Sequence, residues 1–421
     1  MKKYIALLLA LTMVFTMAGC GKKSAESSTA AESATHEKVE DGRLKIGFIL
    51  PAEDGAPDTE ARIMAIRKMQ KKTGLSDSQI FIQRNVGKEE CPEEIKTLVK
   101  NGCQLIFALG ARYEEAVIEA AAENTDVWFC LEGGRESIMS DLPNLHTFNS
   151  RIYEAYYAAG VIAGMKLNNM LNKGKISPYD CRVGFVAYKD CAETNTCINA
   201  FYIGIREACT QSTIDVRYVG KRGNYDADGE AARQLTASGV GMMCTYIYTS
   251  AAAAVCAEHG IPIIGNENNI IDTAPKHALT STFTDWSYYY IEAVNAMTGG
   301  QVLDKDFCGG YKGGMVLLTQ LNDAEVGEET AERLMEVEKK LRDGKVKVFK
   351  TDSFTIDDKS LENLIKDGGD YKKYKKYVKN GQLKEQSLMS APIFDDLIDG
   401  ITVKTENYLE STEEESESEG Q

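Results

Sequence analysis

At 421 residues the chain is longer than a single hydrophobic core ordinarily serves, and its 43% apolar residues are enough to build two. A formal charge of −15 leaves it no electrostatic grip on nucleic acid or on an anionic lipid surface. Nucleic acid is not expected as a partner.

The chain opens with Lys2 and Lys3 and an apolar run from Ile5 to Thr16. That run is about a dozen residues, the length of a signal-peptide core and short of the ~20 that cross a bilayer as a helix. Met17-Ala18-Gly19-Cys20 follows. Small residues before a cysteine resemble the bacterial lipobox, with Met17 standing where a leucine is usual. The resemblance implies cleavage of residues 1–19 and a diacylglycerol on the Cys20 thiol, and two acyl chains anchor a protein stably where one does not. The expected location is the extracytoplasmic face of the cell membrane, lipid-anchored. Residues 20–43 are Ser, Ala, Glu, Lys and Thr with almost no large apolar side chain, a composition that cannot bury enough surface to fold. As a coil this tether reaches roughly 25 Å.

From Leu44 a strand-helix unit repeats. Leu44 to Leu50 reads as a buried strand, followed by a helix carrying Ile63, Ile66 and Met69 on one side. Strands are expected at Ile80 to Ile82, Cys103 to Leu109 and Val127 to Leu131, with helices over Glu93 to Lys100 and Glu114 to Glu123. The pattern restarts with a long helix, Ala155 to Met170, whose Ala158, Ala159, Gly160, Ala163 and Gly164 permit close packing. Strands then fall at Arg182 to Ala187, Ile214 to Val219, Gly241 to Tyr246 and Pro262 to Gly265, and helices at Asn199 to Cys209, Gly229 to Ser238 and Ala251 to His259. Strands greasy throughout and separated by helices imply parallel sheets covered on both faces. The fold class is therefore α/β, with two lobes and a cleft between them. Crossings between lobes are expected near Phe148, Phe283 and Val316, so that residues 44–148 with 284–318 form the first lobe and 149–283 with 319–349 the second. Tyr289 and Tyr290 are expected to pack a helix on the sheet.

Ten cysteines remain beyond Cys20. A body of this size has core enough without disulfides, and Cys103, Cys130 and Cys244 lie in apolar runs where a thiol packs as a small hydrophobe; Cys191 and Cys197 are a candidate loop pair. No Cys-x-x-Cys occurs and the four histidines have no ligand spacing, so neither metal nor cofactor is expected.

In parallel sheets ligands meet the loops beyond the carboxyl ends of strands. Reading the residues after each strand nominates Asp58, Tyr113 and Glu132 in the first lobe, Arg222, Tyr246, Thr249 and Glu267 in the second, and Trp286 after the second crossing. Flat aromatic faces suit a ring, and a carboxylate accepts bonds from two neighbouring hydroxyls. Asp58 could equally cap the helix after it. Neither a Gly-x-Ser-x-Gly elbow nor a phosphate loop is present, and nothing sets two acids at a defined separation. Binding without turnover is expected, not enzymatic activity.

Several stretches, in order, carry a resemblance to a known family: Gly102-Cys-Gln-Leu-Ile-Phe-Ala-Leu-Gly-Ala-Arg-Tyr-Glu-Glu-Ala116, Asp126-Val-Trp-Phe129, Ala158-Ala-Gly-Val-Ile-Ala-Gly164, Arg182-Val-Gly-Phe-Val186, Tyr218-Val-Gly220, Gly260-Ile-Pro-Ile-Ile-Gly265 and Thr280-Ser281. From about Leu44 to Phe349 the chain resembles the bacterial basic membrane protein family, substrate-binding lipoproteins that include purine nucleoside receptors of ABC importers. The resemblance implies a two-lobed type I periplasmic-binding-protein fold that closes about a hinge, a small polar ring compound such as a nucleoside as solute, and a permease and an ATPase as partners of a monomer. The ligand signature departs from the family. Its aromatic-bearing first loop corresponds to Asp54-Gly-Ala-Pro-Asp58-Thr59, which has no aromatic; a Gly-rich turn corresponds to Tyr246-Ile-Tyr-Thr249. An aspartate that contacts ribose corresponds to Glu267, a lysine to Thr284, and an aromatic falls near Arg222; Tyr113 sits in the matching first-lobe loop. A sensor reporting the same solute to a membrane signalling partner is the alternative.

Beyond Phe349, Tyr371 to Tyr377 interleaves lysines with tyrosines and reads as a solvated amphipathic helix. Ile398 to Val403 reads as a last strand of a 350–405 extension that packs on the body, and the acid-rich 406–421 as a disordered tail.

Overall fold

The computed structural model describes residue 40 and residues 42–51, 57–220 and 222–405; of Pro57 and Asp58 only the backbone is described. The signal segment, Cys20, nearly all of the tether, and the acidic tail lie outside those residues.

The first half alternates β1 (Ile46–Ile49), α1 (Pro57–Thr73), β2 (Ile80–Gln83), α2 (Cys91–Lys100), β3 (Leu105–Ala108), α3 (Glu114–Glu123), β4 (Trp128–Glu132), α4 (Arg135–Met139) and β5 (Leu145–Ser150). The second half runs α5 (Tyr153–Asn172), β6 (Arg182–Ala187), α6 (Ala192–Arg206), β7 (Thr213–Tyr218), α7 (Tyr225–Ala237), β8 (Met242–Tyr246), α8 (Ala251–His259), β9 (Ile263–Asn266) and β10 (Ala278–Thr284). Then come α9 (Ser287–Gly299), β11 (Asp306–Gly309), β12 (Val316–Leu318), α10 (Asp323–Val326), α11 (Glu328–Arg342), α12 (Leu361–Asp367) and β13 (Ile401–Val403).

Two sheets result. One has the order β11-β5-β4-β3-β1-β2 and is parallel throughout; the other has the order β12-β10-β9-β8-β6-β7-β13, with only the β10–β12 pair antiparallel. Strands such as Leu105–Ala108 are buried at every position because helices cover both faces. In the first sheet Phe48 stacks on Phe107 at 4.8 Å and Phe148 on Tyr289 at 4.2 Å. Tyr289 and Tyr290 thus fasten α9 to the sheet, each wholly buried.

The chain passes between the sheets three times: from β5 into α5, from β10 into α9, and from β11 into β12. Val316–Leu318 pairs with β10, so the return precedes residue 316 and the 284–318 boundary shifts a few residues N-terminal. At the crossings Ser150 Oγ lies 3.3 Å from Thr284 Oγ1, Arg151 Nη1 donates to the Cys308 carbonyl at 2.5 Å, and Tyr311 N donates to Glu154 Oε2 at 2.7 Å. These bonds tie the three passages into one hinge.

The second core depends on close helix approach. A Cβ on Gly160 would stand 2.1 Å from the Phe201 carbonyl oxygen and one on Gly204 2.2 Å from that of Tyr157. Only glycine at both positions allows α5 and α6 to meet at that separation.

Three details differ from the sequence reading. Helix α6 begins at Ala192, seven residues before Asn199, because Asn195, Thr196 and Asn199 are bonded to carbonyls of the C-terminal extension. Cys191 and Cys197 are not joined; both are free thiols, and Cys197 is buried within α6. Residues 371–377 form no solvated helix: Gly369–Tyr374 is a short 3-10 turn, and Tyr374 and Tyr377 are buried in the second core. The ring of Tyr374 packs edge-on against Phe394, and its hydroxyl donates to Asp395 and Asp396.

Candidate solute-binding cleft

Between the two sheets, at the carboxyl ends of β1, β3, β4, β6, β8 and β9, lies a cavity of about 1220 Å³. A parallel sheet turns that end of every strand toward the same side, so loops from both lobes converge there.

The first wall is built on β4 and α9. Glu132, the last residue of β4, accepts from Arg62 Nη2 of α1 at 2.7 Å, and both side chains are largely buried. The Arg62 guanidinium lies over the indole of Trp286, 3.9 Å from the ring centroid, and Trp286 leans edge-on against Phe148 of the core at 5.9 Å. The turn after β4 is Gly133-Gly134, both at positive φ. At Gly134 a Cβ would meet Glu114 Oε1 at 2.6 Å and Leu131 Cδ2 at 2.7 Å. Glu114 in turn accepts from Ser137 N at 2.7 Å, which orders the start of α4.

The second wall is a polar network around Glu193, in the first turn of α6. Glu193 Oε1 accepts from Tyr246 OH at 2.7 Å and from Arg222 Nη2 at 2.8 Å, and Oε2 from Tyr188 OH at 3.3 Å. Arg222 also donates to Tyr248 OH at 3.0 Å, and its guanidinium lies 4.2 Å from the Tyr188 ring centroid and 5.2 Å from that of Tyr248. Enclosure in the cleft works against the Glu193 charge. The Arg222 cation and the hydrogen bonds from Tyr246, Arg222 and Tyr188 outweigh it and hold the carboxyl below its ordinary pKa. Burial pushes the Tyr188 and Tyr246 hydroxyls well up, so both remain donors.

Glu267 follows β9 with φ of 57°, a left-handed backbone that few non-glycine residues adopt. Its N donates to the Thr282 carbonyl at 2.7 Å, and its carboxylate accepts from Thr284 N, beside the second crossing, at 3.3 Å. Backbone strain held by surrounding bonds is a mark of functional positions.

Five of the eight residues nominated from sequence therefore line one cavity: Glu132, Arg222, Tyr246, Glu267 and Trp286. Tyr113 does not; it is wholly buried and its hydroxyl donates to the Val86 carbonyl at 2.6 Å. Nor does Thr249, whose hydroxyl donates to Asp228 Oδ2 at 2.6 Å and accepts from Ala251 N at 3.4 Å, a bond that orders the start of α8. Asp58 stands in the first turn of α1, but its side chain lies outside the described residues. Cys20 lies outside them too. Sequence reading missed Arg62 and Glu193. Arg62 is inside a helix, away from any strand end, and Glu193 was lost with the late start drawn for α6. Among the described residues no group of three or more His, Cys, Asp or Glu side chains is placed to hold a metal ion, and no helix is long and apolar enough to cross a membrane.

Residues 54–350 match the family of PnrA-like substrate-binding proteins of ABC transporters. The chain belongs to this family. Its members are solute-binding proteins, not a class of enzyme, and act outside the cytoplasm with a small-molecule ligand and a transporter permease as partners. A purine-binding protein of Brucella abortus (strain 2308) is 24% identical over 310 residues, covering 73% of this chain and 83% of that one. A solved ABC-transporter solute-binding protein from Aeropyrum pernix K1 is 14% identical with a TM-score of 0.60, covering 77% of this chain and 96% of its own. Another, from Conexibacter woesei DSM 14684, is 17% identical with a TM-score of 0.58, covering 72% and 97%. These likenesses establish the type I periplasmic-binding-protein fold.

Proposed function

We propose that the chain is a lipid-tethered receptor that captures a purine nucleoside, or a polar ring compound of that shape, in the cleft between its lobes and presents it to an ABC permease. The observation that carries the reading is the pairing of two like walls. Each sets a guanidinium on an aromatic face and ties it to a carboxylate: Arg62 with Trp286 and Glu132, and Arg222 with Tyr188 and Glu193. Guanidinium planes and tyrosine rings stack on a flat heterocycle. Glu267 supplies a carboxylate able to accept from adjacent hydroxyls of a sugar. Because each arginine is paired with an acid, the walls suit a neutral solute rather than a phosphorylated one.

Contacts to both lobes provide the differential affinity that closure needs, since a solute touching one lobe alone cannot shift the open and closed populations. The hinge at Ser150, Thr284 and Arg151 is where the backbone would absorb that motion. The relative from Brucella abortus, a purine-binding protein by name, supports the same solute class.

Calorimetric titration with adenosine, guanosine and inosine tests the reading. Saturable 1:1 binding of at least one is expected, with no base released from the nucleoside. Absence of binding by all three removes the nucleoside assignment. For the tether, Cys20→Ala is expected to release the protein from the membrane fraction; retention there would refute lipidation at Cys20.

A further inference from the structure

The family match ends at residue 350, yet the described chain runs on to residue 405 and returns to the cleft. Within this extension, residues 385–398 are bonded to both lobes. Arg135 of α4 donates to the Pro392 carbonyl at 2.9 Å, and Ser390 N donates to Asp306 Oδ2 of β11 at 2.7 Å, both on the first-lobe side. On the second-lobe side Asn195 donates to the Asp395 carbonyl at 2.6 Å, Thr196 to that of Phe394 at 3.1 Å and Asn199 to that of Asp396 at 2.8 Å. At the hinge Gln386 Nε2 donates to the Ser150 carbonyl at 3.2 Å and to that of Ser390 at 2.7 Å. The Glu385 carboxylate closes the segment on itself by accepting from Ile393 N and Phe394 N, both at 3.0 Å.

Three residues of this segment, Gln386, Ala391 and Pro392, line the same cavity as Glu132 and Glu193. We propose that Gln386, Ala391 and Pro392 form a third wall of the solute cleft, one that the bound solute touches and that limits the size of solute admitted. The inference rests on the reading of the cleft as the solute site. Its chemistry is distinct from that of the other walls. Alanine and proline contribute shape without charge, and with the Gln386 amide nitrogen bonded to two carbonyls, the amide oxygen is the atom left to accept from a solute donor. Anchorage to both lobes holds this wall in place by hydrogen bonds rather than by chance contact, and a fixed apolar wall discriminates by fit.

Two variants test it. Ala391→Trp projects bulk from the wall, and Pro392→Ala trims the wall at a half-buried position where folding is little affected. Wild type and both variants are titrated with adenosine, guanosine and inosine, and each is also incubated with a small-molecule extract of bacterial cells and read by native mass spectrometry, with thermal melting as the control for folding. A391W is expected to weaken binding by about tenfold or more, and P392A by about threefold, with a cooperative melt retained. Should A391W not fold, P392A carries the test. Binding within twofold of wild type by every folded variant overturns the third wall while leaving the receptor assignment intact. If no nucleoside binds but another mass is taken up from the extract, the nucleoside reading falls, and the wall is judged by the same ratios for that mass. A wild-type protein that takes up nothing from either source overturns both.

Discussion

The two facing walls use the same three kinds of group, yet they are held in different ways. On the first, Arg62 and Glu132 are a mostly buried pair, with the Arg62 guanidinium lying over Trp286, itself packed on the core. On the second, Glu193 gathers Arg222, Tyr188 and Tyr246 into a partly exposed network, and Arg222 reaches a further tyrosine. The first wall is positioned by packing and the second by hydrogen bonds. A packed wall resists deformation, whereas a network of hydroxyls and a guanidinium can exchange partners when a solute arrives. The first is therefore a platform and the second the adaptable face.

This contrast can be broken most directly at Arg62. Arg62→Ala removes this largely buried ion pair and uncovers Trp286, and is expected to lower folding stability by about 3 kcal/mol in urea titration. A loss below about 1 kcal/mol would mean the first wall is not held by that pair.

Glu385, which secures the third wall, provides a pH test. Burial raises its pKa from 4.5 to about 8, against the backbone hydrogen bonds from Ile393 and Phe394. The folded state then binds more protons than the unfolded state between those values, so the contribution is full below about pH 4.5 and is lost as pH rises through 8. Stability is expected to fall by about 2 kcal/mol or more over that interval, and Glu385→Gln to flatten the profile. An unchanged slope in the variant would show that Glu385 is not the group responsible.

At the second wall Glu193→Ala is expected to weaken nucleoside binding by about 2 kcal/mol, with a much smaller effect on urea stability because the site is partly exposed. Equal losses of affinity and stability would make this wall another packed platform. The smallest effect is expected at Tyr113→Phe, which deletes the hydrogen bond to Val86 at no cleft residue. Stability should drop by about 1 kcal/mol with affinity unchanged. A drop in affinity would return Tyr113 to the site.

Strand-end logic found Glu132 and Glu267 because in a parallel sheet the residue after a buried apolar run must emerge at the ligand edge. The same logic misplaced Tyr113 and Thr249. Each follows a strand, but one step along the following turn sends a side chain into the core beneath α3 or toward Asp228 and the start of α8. Glu193 escaped because Asn195 and Thr196 look like loop residues until their carbonyl partners, about 200 positions later, are known.

By itself the amino-acid sequence determined the layered α/β architecture and the repetition of the strand-helix unit. These follow from local periodicity: a run of apolar residues too short for a helix has one way to be buried on both faces. Tertiary structure alone decided that Arg62 covers Trp286, that α6 begins at Ala192, and that Gln386, Ala391 and Pro392 return to the cleft. Each joins residues remote in sequence, and no periodic signal records which polar group will find which partner once the backbone has closed.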